Sequence, residues 1–211
     1  MRSATAAVPH FDSIPIVLSN ATALAKVTHA DDRYIVSCSI TKVVVAQIFC
    51  GAISTSSHLE ATLRDAWFTY RGQVREPGEL ARHLYPGADE NHPPTARGTL
   101  QELALAESRK IGYTHKAIGS ALWALRAVML RVEHGERSRD AVKAVLMEII
   151  LEGGDADTNA AIAGALIGCY VGFSGLPEEW RDGLKDGEWL RAKADVLCAM
   201  AVGLERDVQM F

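Results

Sequence analysis

Gly153-Gly154-Asp155-Ala156-Asp157-Thr158-Asn159 sets two carboxylates and a hydroxyl where a glycine pair hands over to the small-residue run from Ala160 to Gly175. The run reads as a buried helix, with Gly164, Gly168 and Gly172 at every fourth residue placed to let another backbone approach closely. Asp155 is placed as its N-cap, with Asp157 and Thr158 in the first turn, where side-chain oxygens accept from unpaired backbone N–H groups. The same oxygens suit a hard cation such as Mg2+. Spacing alone leaves both readings open, because negative charge also favours a helix N-terminus. A calcium-binding helix-loop-helix is excluded. Counted from Asp155, the sixth position is Ala160 and the twelfth Leu166, where that loop needs glycine and glutamate.

The residues outward from this stretch are periodic at helical spacing almost throughout. Expected helices are Ile16 to Val27, Arg33 to Gly51, His58 to Tyr70, Pro77 to Leu84, Thr99 to Ser108, His115 to Glu133, Arg139 to Leu151, Glu178 to Leu184 and Gly187 to about Glu205. The Arg33 helix is apolar nearly all round and reads as central and buried. Asp31-Asp32, Ser54 to Ser57, Ser138 and Asp186 stand as caps. Met1 to Pro15 holds no complete element. Pro86, Gly87, Pro93 and Pro94 make Tyr85 to Gly98 a surface loop. No alternating strand pattern persists, so the fold class is all-α, expected as one domain over residues 1–211 with no repeat.

Composition narrows the classes of function. The chain has 211 residues, 48% hydrophobic and 23% charged, with a net charge of -4, as in an ordinary soluble globular protein. That charge argues against a nucleic-acid-binding surface spread over the molecule. There is no secretory leader pattern, and the small-residue run is too short and too glycine-rich for a membrane span. Cys38, Cys50, Cys169 and Cys198 form no CxxC pair and read as reduced, buried thiols in a cytoplasmic protein. Trp67, Trp123, Trp180 and Trp189 fall at helical positions, as core or core-rim residues. His29, at a helix end beside Asp31 and Asp32, reads as a capping group or a ligand contact, and His115 as a local donor at a helix start. No local grouping supports nucleophilic catalysis, and no phosphate-binding glycine motif is present.

Gly153 through Ala165, then Gly168 and Leu176-Pro177-Glu178-Glu179-Trp180, closely resembles the carboxy-terminal motif of the ADP-ribosylglycohydrolases, the family of the dinitrogenase-reductase-activating glycohydrolases and ADP-ribosylhydrolases. Met1-Arg2, Val27-Thr28-His29-Ala30-Asp31, and Gly112-Tyr113-Thr114 leading to Ala121-Leu122-Trp123-Ala124-Leu125 agree with it. The resemblance implies an all-α fold with two Mg2+ ions in a cleft, cleaving the glycosidic bond between ADP-ribose and its acceptor. It implies metal-ligand roles for Asp155, Asp157 and Thr158, a position near ADP-ribose for His29, and ADP-ribose or an ADP-ribosylated protein as partner. Members also carry an amino-terminal Thr-Asp-Asp ligand trio, an acidic residue and a glycine-rich phosphate loop. This chain begins at the Met-Arg that follows that loop, and Thr5 stands where members often carry proline. Asp31-Asp32, preceded by Ala30, does not replace the trio. The expectation is an amino-terminally truncated member that lacks the presumed catalytic acid and half of the metal ligands. It would have impaired hydrolase activity or, alternatively, be a non-catalytic helical remnant that binds ADP-ribose or a protein. The apolar faces left by missing helices would be exposed.

Overall fold

The computed structural model describes residues 3–86 and 98–204. Among them every regular element is helical. α1 (Ile14–Lys26), α2 (Asp32–Phe49), α3 (Ser56–Tyr70) and α4 (Pro77–Leu84) form the first half, and α5 (Thr114–Glu133), α6 (Ser138–Leu151), α7 (Ala156–Val171), α8 (Glu178–Arg181) and α9 (Gly187–Ala201) the second. Met1-Arg2, positions 87–97 of the expected surface loop and Glu205 lie outside the described residues, but the last helix already ends at Ala201 and the short helix from Glu178 stops at Arg181, not Leu184.

α5 is the hub. It packs against α2, α4, α6 and α7, and α1 lies along α2. Its apolar positions Ile118, Ala121, Leu122, Leu125, Val128 and Met129 recur three and four residues apart, so they fall on one stripe and all reach the core. Val36, Ile40 and Val44 of α2, Leu80 and Leu84 of α4, Val145 and Ile149 of α6, and Ala163, Leu166 and Ile167 of α7 close over that stripe. α2 is central, as its apolar character requires, but it also buries Ser37, Ser39, Thr41 and Lys42. Ser37 and Thr41 satisfy their hydroxyls by donating to carbonyls one turn back, Arg33 O and Ser37 O, each at 2.8 Å.

Several local expectations are corrected. Thr99 to Ser108 is not one helix but two 3-10 turns, Leu100–Leu103 and Ser108–Lys110, divided at Ala104, whose φ of 46° no helix continues. A further 3-10 turn, Thr5–Ala7, lies in the opening taken as elementless. Asp31 caps α2 as expected, accepting from Arg33 N at 2.9 Å. Ser138 lies inside α6 and caps nothing, and Asp155 and Asp186 hold the N-cap positions of α7 and α9 without a side-chain capping bond. α7 is buried along one face only, and a Cβ built on Gly164, Gly168 or Gly172 meets nothing, so no described backbone approaches there. Cys38 is buried, but Cys50 and Cys198 are exposed. Trp67 is core, whereas Trp189 on α9 is 63% exposed.

Candidate functional site

The Asp155 loop is held from behind by main chain. At Gly154, with φ of +68°, a Cβ would lie 2.1 Å from Leu105 O, so the segment after the Leu100–Leu103 turn packs directly on the glycine. From the front it meets Gly112, where a Cβ would lie 3.3 Å from Asp155 Oδ2 and φ is again positive at 74°. Two of the sequence motifs, 43 residues apart at their glycine and aspartate, therefore touch.

Asp155 and Asp157 sit side by side at the entry to α7. The neighbouring Asp155 carboxyl and the Thr158 N–H, which donates to Asp157 Oδ1 at 2.8 Å, hold the Asp157 carboxyl below its ordinary range. Asp155 thus spends its oxygens beside a second carboxylate and not on a cap. Two acidic groups this close repel when both ionise, and a cation between them removes that penalty. The donors are all hard oxygens, of the kind Mg2+ prefers, but the cluster supplies three side-chain ligands against an octahedral shell of six. Among the described residues no group of three or more His, Cys, Asp or Glu side chains is gathered as a metal site. The cluster fits the cation in the chemistry of its oxygens alone.

The third motif reaches the same place through Arg33. Asp31 Oδ1 and Oδ2 take the guanidinium at 2.9 and 2.7 Å, which lowers the Asp31 carboxyl to about 2, and the Arg33 group lies 5.6 Å from the centre of the Tyr113 ring. Arg33, Glu76, Glu79, Arg109, Lys110, Ile111, Gly112 and Tyr113 line a cleft of about 450 Å3, with Gly112 as the wall it shares with Asp155. Tyr113 donates its hydroxyl to Glu79, while Lys110 Nζ binds the other Glu79 oxygen at 3.1 Å. Burial raises the Glu79 carboxyl, but these two donors outweigh it and leave Glu79 below its ordinary value.

His29 lies elsewhere on this surface. It is exposed at the end of α1 and stacks on Tyr34, with ring centres 4.3 Å apart. Tyr34 in turn lines a small, mostly apolar cavity of about 40 Å3 with Ser37, Thr41, Thr114, Ile118 and Ile162, the last one turn beyond Thr158 on α7. The structure gathers Asp155, Asp157 and Thr158 in one helix turn and sets His29 against Tyr34. His115 is no local donor: it is buried, with neither ring nitrogen bonded, and burial, reinforced by His83, lowers it to about 4. Glu79, Lys110 and Arg109 were not singled out from sequence. The basic pair beside Gly112-Tyr113 was the one available signal.

The ADP-ribosylglycohydrolase family model matches residues 1–207. With that match the chain belongs to the ADP-ribosylglycohydrolase family, and its all-α architecture agrees with the family fold. It is similar to an uncharacterized protein of Archaeoglobus fulgidus, 35% identical over 89 residues, 42% of this chain and 28% of that relative. It is also similar to the ADP-ribosyl-[dinitrogen reductase] glycohydrolase of Rhodospirillum rubrum, 38% identical over 64 residues, 29% of this chain and 22% of that enzyme. The matched stretches thus span about a quarter of the length of these curated relatives. No solved structure matches. Among the described residues no helix is long and apolar enough to cross a membrane.

Proposed function

We propose that this chain carries one half of a Mg2+-dependent active site for hydrolysis of the glycosidic bond between ADP-ribose and an acceptor on a protein. The observation that carries the proposal is the juxtaposition of the Asp155–Asp157 carboxyls with the Gly112-Tyr113 wall of a cleft, in a chain of this family. Asp155, Asp157 and Thr158 would hold the cation, which when bound orients the ribose hydroxyls and polarises a water. The chain's own residues bind and orient: Tyr113 and Arg33 form an aromatic and cationic wall beside the carboxylates, and His29 stacks on Tyr34, which lines the neighbouring small cavity. Water replaces the acceptor at the anomeric carbon, and the acceptor leaves with the proton.

On this reading Asp155, Asp157 and Thr158 would be three of the cation's oxygen ligands, and the isolated 211-residue protein is expected to turn over slowly. Release of ADP-ribose from an ADP-ribosylated protein, followed with and without Mg2+, tests this. The expected result is turnover that is weak or absent and that, where present, needs Mg2+ and is lost in Asp157→Ala. Rapid release without divalent cation would refute the assignment. The second reading, a helical binder of ADP-ribose without catalysis, is favoured by the same three-ligand shortfall. Calorimetric binding of ADP-ribose without turnover selects it, and no heat with ADP-ribose or Mg2+ excludes both.

A further inference from the structure

Glu79 belongs to none of the motifs that converge on the site, yet its carboxylate grips both ends of the turn that carries Gly112. Lys110 Nζ donates to Oε1 at 3.1 Å, the Tyr113 hydroxyl donates to Oε2, and the same turn is closed by the Tyr113 N–H to Lys110 O at 3.1 Å. The Glu79 side chain is 12% exposed, which separates it from the surface ion pairs that contribute little. Two donors on one largely covered carboxylate make charge-assisted bonds, the stronger kind. The anchor is firm on the other side as well. One turn along α4, His83 is fixed by its bond to Glu79 O at 2.6 Å and packs edge-on to the Tyr113 ring at 5.8 Å. Within the gripped turn, Gly112 faces Asp155 so closely that a Cβ built on it would lie 3.3 Å from Oδ2.

We infer that Glu79 is a positioning residue: by clamping Lys110 and Tyr113 it presses the Gly112 peptide against Asp155 and fixes where that carboxylate presents its oxygens. The role rests on the reading of Asp155 as a cation ligand, and it makes α4, from outside every family motif, part of the machinery. A clamp that merely ties α4 to the turn would loosen the turn alone when removed. A positioning clamp loosens the Asp155 loop with it.

Amide hydrogen exchange on the metal-free 211-residue protein separates the two. Glu79→Ala should speed exchange about tenfold in peptides spanning 110–114 and also in those spanning 153–162, while peptides from α6 stay as in the wild type. Glu79→Gln keeps an acceptor for Tyr113 and drops the ion pair to Lys110, and it should restore most of the protection. Glu179→Ala, which removes the exposed pair with Lys143, should change neither segment. Loosening confined to 110–114, or none at all, overturns the inference. Mn2+, which takes the same oxygen ligands, then serves as the probe ion in a paramagnetic resonance titration. Glu79→Ala should bind it about tenfold more weakly, the usual effect of removing an outer partner of a ligand, and unchanged affinity overturns the positioning role. If the wild type and Asp157→Ala both bind no Mn2+, the metal reading has failed, and the exchange pattern alone decides whether Glu79 braces Asp155.

Discussion

Among the described residues His115 and Lys42 are buried basic side chains with no nitrogen hydrogen-bonded, and neither position was readable from its neighbours in sequence. Each sits in an apolar helical repeat where any residue at that register is buried, so the pattern shows the burial and not what the polar atoms do there. Burial disfavours the charged form of both, lowering the Lys42 amine and taking His115 to about 4. The unfolded chain protonates His115 near its ordinary value of 6.5, so the folded state loses stability as pH falls from there towards about 4. The shift corresponds to about 3 kcal/mol. Chemical denaturation of His115→Leu should therefore show a flatter acid limb over that window and little change at pH 8. An unaltered slope would contradict the assignment. Lys42→Met, which removes an unpartnered buried amine at similar volume, should raise stability by about 1–2 kcal/mol in urea unfolding.

At the scale of elements, the helices with a sustained apolar stripe were legible to within one or two residues, as α4 at Pro77–Leu84 and α5 at Thr114–Glu133 illustrate. Thr99 to Ser108 was misread because Leu100 and Leu103, three apart, suit a 3-10 turn as well as an α-helix. The glycines of α7 were misread in a different way. A repeat of small residues states that something could approach, and the packing of Gly154, outside the repeat, is where main chain does approach. The contrast is measurable. Gly154→Ala, strained by its positive φ and by Leu105 O, should cost more than about 3 kcal/mol, whereas Gly164→Ala should be neutral or stabilising by up to about 1 kcal/mol. Thermal unfolding of the two variants checks both. Of the site, Asp155, Asp157 and Thr158 were legible as a cluster. The meeting of Asp155 with Gly112, and of Glu79 with Tyr113, depends on how α4, α5 and α7 pack, which local spacing does not encode.

For the whole molecule, the core is built on α5, and α9 stands apart from it, burying only Ala199. Trp189 and Met200 of α9 are exposed, and the exposed Leu184 and Leu190 line a groove of about 940 Å3 together with Phe173 and Leu176. Exposed apolar surface of this kind promotes association. Sedimentation should show concentration-dependent self-association that Trp189→Lys reduces without lowering the melting temperature. The central claim, however, lives at the carboxylate pair. Thermal unfolding of the wild type and of Asp157→Ala, each with and without Mg2+, tests it most directly. At about ten times the dissociation constant, Mg2+ should stabilise the wild type by about 1.4 kcal/mol, roughly 3–5 °C, and leave Asp157→Ala unmoved. Equal shifts in the two proteins, or no shift in the wild type at any Mg2+ concentration, would contradict it.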